Sequence, residues 1–316
     1  MSENREMSEE DYLKKHLNSV ENKSNKQTFL NSDIPDTKEP IIENAKVSDL
    51  HFFNFDVSQL PCGKFYPNGT LFMIRPAQVK EIQAYAMVDD NNFYDIVEKM
   101  NGMLQSCVRV KYPDGRMGTF LDIKDQDRLF IIFMIRELTF QQGNSLTITT
   151  PCPSCSTENS IELKRQHFVF YDEDEKLKKF YSINSGSYNF TLKNGTTYEV
   201  TPPNIGLQKS FTDYIVKENN EKRTPNMAFL KIIPFLMPGK SSITYEGIKT
   251  KLRDFESMDD ISFQFLNAAI NKMTFGVKEL KKTCQCGEEV RAEMQFPNGA
   301  SGIFVIHDAF EAYIKE

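Results

Sequence analysis

Apolar side chains recur at every second position along some stretches of this chain and at every third or fourth along others, and the two periods sort it into predicted strands and helices. Residues 52–57, 64–66 and 71–74 read as strands, with Asn68-Gly69 as the turn of a hairpin. Helical spacing follows over 78–88 and 93–108, where Ile96, Met100, Met103, Leu104 and Cys107 fall on one face. Asp114-Gly115 marks a turn. Asp122 reads as the N-cap of a helix over 123–138, with Asp125 and Asp127 in its first turn, where the helix dipole favours negative charge. Asn194-Gly195, between alternating residues 188–192 and 196–200, predicts a type I′ hairpin, and helices are expected over 205–217, 227–235 and 258–273, the last capped by Ser257. A final helix over 302–314 carries Ile303, Phe304, Ile306, Phe310, Tyr313 and Ile314.

Two further alternating stretches are each interrupted by a close pair of cysteines. Residues 145–150 and 158–163 flank Cys152-Pro153-Ser154-Cys155, and residues 276–280 and 288–296 flank Cys284-Gln285-Cys286. A hairpin tip that carries two thiols aims both at one point, and two such tips supply the four soft ligands, about 2.3 Å from the ion, that a tetrahedral Zn²⁺ requires. Cys152, Cys155, Cys284 and Cys286 are therefore the candidate metal ligands of a bipartite, four-cysteine zinc ribbon. Four thiolates leave no open coordination position, which makes the expected Zn²⁺ structural, a staple between segments remote in sequence. A disulfide, a redox dithiol and plain buried thiols are the competing readings. No signal peptide is visible in the polar opening Met1-Ser-Glu-Asn-Arg-Glu6, so a reducing compartment is expected, which disfavours disulfides. Cys155 leads into a strand pattern instead of the helix that a thioredoxin-like dithiol needs. His167 is an alternative ligand that the second cysteine pair makes redundant, and Cys62 and Cys107 read as ordinary core or loop thiols.

Composition narrows the function classes. Of 316 residues 40% are hydrophobic, enough for a substantial core, while the net charge of −6 argues against a protein that works by neutralising phosphates, so no nucleic-acid partner is expected. The longest apolar run, residues 129–135, is far short of a bilayer span and reads as a buried helix. Residues 1–45 are polar, with 11 acidic against 7 basic side chains in the first 50, and read as a disordered N-terminal tail in which 9–20 could form one amphipathic helix. There is no nucleophile elbow, phosphate loop, H-E-x-x-H or dinucleotide fingerprint, so the residues favour a structural or interaction protein over an enzyme, with no small-molecule substrate. The expected class is α+β: hairpins bearing the four-cysteine ribbon, packed with several helices, and an inserted α/β subdomain. The corresponding divisions are the tail at 1–45, a hairpin and helical core at 46–166, the insertion at 167–275, and the second knuckle with its docking helix at 276–316.

The order of short motifs adds a resemblance. Leu60-Pro61, Gly63-Lys64-Phe65-Tyr66-Pro67, a strand ending in Ile74-Arg75-Pro76, a helical stretch through Cys107-Val108, and then Leu121, Asp127, Arg136, Gly143 and Cys152-Pro-Ser-Cys155 resemble the baseplate hub proteins of T-even-like contractile-tailed bacteriophages. The similarity covers about residues 58–165 and, more loosely, 284–314. It implies a structural or hub-assembly component of a phage tail baseplate, made in the host cytoplasm and placed in the virion tail. Its partners would be other baseplate and tail subunits, with self-association left open. Arg75 and Arg136 are implied as conformational anchors, against a plain ion-pair role. A zinc-ribbon nucleic-acid-binding protein and a tail-associated cell-wall hydrolase are the rival readings.

Overall fold

A computed structural model describes residues 51–140, 146–170, 175–273, 275–277, 280–292 and 300–304. The polar tail with its 9–20 helix, His16 and His307 lie outside these residues, as does most of the expected C-terminal helix.

The first sheet is antiparallel and ordered β1 (Phe53–Asp56), β2 (Leu71–Ile74), β3 (Val108–Lys111), β4 (Met117–Gly118). Period-two alternation puts Phe72, Ile74, Val108 and Val110 on its buried face. Residues 64–66, expected as a strand, form a 3-10 turn (Gly63–Phe65) instead, and Leu71–Ile74 pairs with Phe53–Asp56 across it. Tyr66 explains the difference. Its ring packs on Phe72 and its hydroxyl reaches Asp127, contacts that a strand at this point would not provide.

Helices α1 (Val79–Ala86) and α2 (Phe93–Cys107) follow β2, opened by a Gln78–Glu81 capping box and by an Asn92 side chain that accepts from the Tyr94 and Asp95 N–H groups. Helix α3 begins at Arg128 and runs to Thr139, later than its expected start at 123. Two 3-10 turns, Phe120–Asp122 and Asp125–Asp127, occupy the difference. Asp122 answers to the Thr119 N–H, Asp125 pairs with Arg128, and Asp127 is fully buried, so the three carboxylates have tertiary and local partners in place of the single dipole role read from sequence. Every residue from Phe130 to Arg136 is buried, as the apolar run predicts for a helix enclosed on all sides.

Hairpin β5 (Thr147–Pro151) with β6 (Glu158–Glu162) carries the first cysteine pair. After β7 (Phe168–Phe170) and a short α4 (Glu175–Lys178), strands β8 (Tyr181–Ser182), β9 (Ser187–Thr191) and β10 (Thr197–Val200) make a three-stranded sheet ordered β10-β9-β8. Helices α5 (Ile205–Asn220), α6 (Met227–Ile232), α7 (Tyr245–Glu256) and α8 (Asp260–Asn271) follow. Helix α7 has no counterpart among the expected helices, and Ser257 is its C-cap, not the N-cap of α8. Asp259 caps α8 through the Ser262 N–H. Strand β11 (Phe275–Val277) returns to pair with β7, so residues 168–170 and 275–277 meet where the intervening segment leaves and rejoins the chain. The strand that enters the second knuckle is therefore β12 (Leu280–Thr283), paired with β13 (Glu289–Ala292), not the 276–280 stretch.

One hydrophobic cluster unites side chains from 57 to 304, including Phe190, Leu207, Phe211 and Leu266 of the 167–275 segment. Lys64 adds a polar link: its ammonium donates to Tyr188 Oη at 2.8 Å and lies 5.1–5.3 Å from the rings of Phe65, Tyr181 and Tyr188. Ala300–Phe304 forms a 3-10 turn whose Ile303 carbonyl accepts from Arg136 Nε at 2.6 Å. No helix among the described residues is long and apolar enough to cross a membrane.

Candidate metal centre

Each cysteine knuckle is an ordinary hairpin turn that carries two sulfurs. In the second, the Gly287 N–H donates to the Cys284 carbonyl and the Cys284 N–H to the Glu288 carbonyl, with Gly287 at φ +90°. The same two hydrogen bonds close Tyr112-Pro-Asp-Gly-Arg116 and Leu192-Lys-Asn-Gly-Thr196, where the glycines have φ +84°. Cys286 thus holds the place of Asp114 and Asn194, directly before a glycine whose left-handed conformation a side chain would strain. The Asn194-Gly195 turn is accordingly a three-residue loop and not the two-residue type I′ turn expected. The first knuckle is one residue longer: the Ser156 N–H donates to the Cys152 carbonyl, the Cys152 N–H to the Thr157 carbonyl, and Ser156 takes the positive φ of 60°.

Packing of β13 on β5 and of β12 on β6 brings the two tips together. The Sγ atoms of Cys152, Cys155, Cys284 and Cys286 all lie within 4.8 Å of one another. Cys152 to Cys286 and Cys155 to Cys284 measure 3.6 Å, although 134 and 129 positions separate them in sequence. Ligands about 2.3 Å from a tetrahedral centre sit about 3.8 Å apart, whereas a disulfide requires about 2.05 Å. The four sulfurs are thus spaced to hold one metal ion, and the sequence-predicted ligand set is brought together whole.

No family model, curated protein or solved structure matches the chain, so the geometry of the site alone carries its chemical reading.

Charge and hydrogen bonding favour thiolates at part of this cluster. The Thr157 hydroxyl and backbone N–H, with smaller contributions from the Cys286 and Cys284 sulfurs, lower the Cys155 thiol to about 6. A backbone hydrogen bond from Cys286 and the Asn159 amide, 3.5 Å away, lower Cys284. At Cys286 a backbone hydrogen bond from Glu288 lowers the thiol, but the crowding Cys155 and Cys152 sulfurs outweigh it and push the group up to about 12. Thiols this close cannot all ionise together without a cation, and a cation removes that conflict.

Asn159 and Thr157 support the ligands and were not singled out from the sequence. Asn159 is buried, with its amide shared between the Thr157 carbonyl at 2.9 Å and the Cys284 sulfur, as an orienting outer-shell group would be. The available signal was a polar residue at an inward position of β6 just past the knuckle. His167 is no part of the cluster: its Nδ1 accepts the Lys164 N–H at 3.0 Å within its own turn. Cys62 and Cys107 are buried elsewhere in the core.

The two arginines differ. Arg75 forms a buried two-pronged ion pair with Glu81 at 2.6 and 2.9 Å. Arg136 is buried against Phe140 and the Ile303 carbonyl. The buried anchor that sequence reasoning missed is Asp127, whose carboxylate accepts from the Cys62 N–H and the Tyr66 hydroxyl, both at 2.8 Å. Burial outweighs these bonds and raises its carboxyl to about 7.

Proposed function

We propose that the four cysteines hold a structural Zn²⁺, that the two knuckles together form a zinc ribbon, and that the chain is a non-catalytic scaffold acting through protein contacts. The observation that carries this reading is the convergence of four sulfurs from two remote hairpin tips at tetrahedral spacing. Four thiolates saturate zinc, so the metal has no position for substrate or water and its work is to fix geometry. A rigid platform lets a modest surface specify its neighbour, because the ordering cost has been met within the folded chain. On this platform the 167–275 segment is an inserted subdomain, joined at its base by the β7–β11 pair.

Together with the motif order from Leu60 to Cys155, this makes the chain a structural or assembly component of a contractile-tail baseplate hub, built in the host cytoplasm and contacting other tail subunits. Metal analysis of protein purified under reducing conditions tests the first half of the reading. One zinc per chain is expected, and metal-free protein with normal fold would discard it. Cryo-electron microscopy of tails and tail intermediates from cells making the chain tests the second half, which fails if no such particle contains it.

A further inference from the structure

The four sulfurs are not equivalent, and their inequality has a direction. Cys152 and Cys284 are buried at 1% and 3% exposure, whereas Cys155 and Cys286, the second cysteine of each knuckle, are exposed. The 3.6 Å contacts do not run within a knuckle. Each joins an exposed sulfur to the buried sulfur of the opposite hairpin, Cys155 to Cys284 and Cys286 to Cys152. An oxidant arriving from solvent therefore meets Cys155 or Cys286 first and finds the resolving sulfur across the hairpin interface.

We propose that the cluster is also a modification site for two-electron oxidants of the peroxide class, and that oxidation exchanges its metal for the disulfides Cys155–Cys284 and Cys152–Cys286. This rests on the reading of the four cysteines as a zinc site. In the first step the Cys155 thiolate attacks a peroxide oxygen; the O–O bond breaks, a sulfenic acid forms, and hydroxide leaves and is protonated to water. The Cys284 thiolate then attacks the sulfenic sulfur, an S–S bond forms, and a second hydroxide leaves and takes a proton from solvent. Two electrons have passed from two thiolates to one peroxide. A second peroxide oxidises Cys286 and Cys152 in the same way, and the ion leaves with no thiolates to hold it.

Cross pairing starts from sulfurs already 3.6 Å apart, about 1.5 Å from bonding distance. Pairing within a knuckle must work against turns already closed by the Gly287 and Ser156 N–H groups. The consequence is a staple that survives loss of its metal: the two hairpins stay joined across the same sequence separation, and a dithiol reductant restores the thiolates. Cys62 and Cys107, both buried and far from this site in sequence, remain thiols.

The test uses the full chain, purified with reductant and assayed for zinc, then titrated with hydrogen peroxide in the presence of a chromophoric chelator and digested with trypsin without reduction. Trypsin leaves Cys152 and Cys155 together on residues 137–164, and Cys284 and Cys286 together on residues 283–291. Within-knuckle bonds leave those fragments separate, whereas cross bonds join them. Full zinc release with the two fragments recovered as one linked species, separable by reductant, is the expected result. Separate fragments, or peroxide that releases no zinc, overturn the proposal while leaving the metal reading intact. Reduced protein without zinc overturns both. Cys155→Ser sharpens the mapping by removing the Cys155–Cys284 bond and keeping the Cys152–Cys286 link, and the wild-type digest decides the matter even if that variant does not fold.

Discussion

The region around α3 and the region around the cysteine knuckles are held by different forces. Helix α3 belongs to a continuous apolar cluster that draws side chains from the four-stranded sheet, from the roots of the two cysteine hairpins and from the 167–275 segment. At the knuckle tips the corresponding cluster is Cys152, Cys284 and Val290. The change happens along single hairpins. Near their roots the pairs Ile148–Ile161 and Leu280–Ala292 belong to the main core, while a few residues further on the buried apolar groups among the described residues are two sulfurs and one valine, beside the buried Asn159 amide. Hydrophobic burial scales with area, so the three-residue cluster among the described residues contributes little to holding the two hairpins together, and on the proposed reading a bound ion supplies the rest. A core of the first kind tolerates local damage in proportion to the volume lost, whereas a four-ligand site fails as a unit.

The largest expected effect is in the core. Phe133→Ala should cost about 3–5 kcal/mol of global stability, read by denaturant unfolding, because it empties a site 3% exposed at the centre of α3. The loss should be the same with and without chelator. A chelator-dependent loss would break the separation of the two regions.

Metal removal should act the other way round. Chelation, or Cys284→Ser, should abolish amide exchange protection in Thr147–Pro151, Glu158–Glu162, Leu280–Thr283 and Glu289–Ala292 while leaving α3 protected. Equal loss in α3 would show that the knuckles and the core are one cooperative unit.

A third effect concerns pH. Asp127 sits among Cys62, Tyr66, Lys124 and Asp125, and burial raises its carboxyl to about 7 from an ordinary value near 4. The folded state then holds a proton that the unfolded chain has released, so stability should fall as pH rises from about 4 to about 7 and level off above, by at most about 1.4 kcal/mol per pH unit. Asp127→Asn should flatten that slope, measured as thermal midpoint against pH. An unchanged slope would remove Asp127 as its source.

The finest comparison uses two turns of one design. Gly195→Ala and Gly287→Ala each place a side chain at φ between +84° and +90°, at a cost of about 1–2 kcal/mol to the local turn. Only Gly287→Ala should weaken zinc affinity, by competition with a chelating dye. Equal effects of both on affinity would mean that the knuckle is not an autonomous turn.

Much of this contrast was legible without coordinates. The period-two stretches around the first cysteine pair, the apolar run of α3 and the turn at Asp114-Gly115 stand where their patterns put them, while the strand into the second pair lies a few residues later than expected and Asn194-Gly195 turns through a three-residue loop. Errors gathered where a local signal competed with a distant partner. Asp122 has the look of an N-cap, but Thr119 claims it and α3 starts at Arg128. Lys64 to Tyr66 has strand character, yet the Tyr66 hydroxyl belongs to Asp127 and to the Lys124 N–H. Helix α7 escapes a reading by apolar spacing because its polar residues outnumber the two it buries, Ile248 and Phe255.

By itself the sequence determined which thiols could serve a metal, since side-chain alternation and turn residues are properties of a few consecutive positions. The tertiary structure alone decided that the sulfurs meet, that two pairs 3.6 Å apart run between hairpins, that Cys155 and Cys286 face solvent, and that Asp127 is shut inside the core. Those facts depend on contacts across 61 to 134 positions, and such contacts leave no periodic trace, because their energy comes from the packing of surfaces that are assembled only when the whole chain has folded.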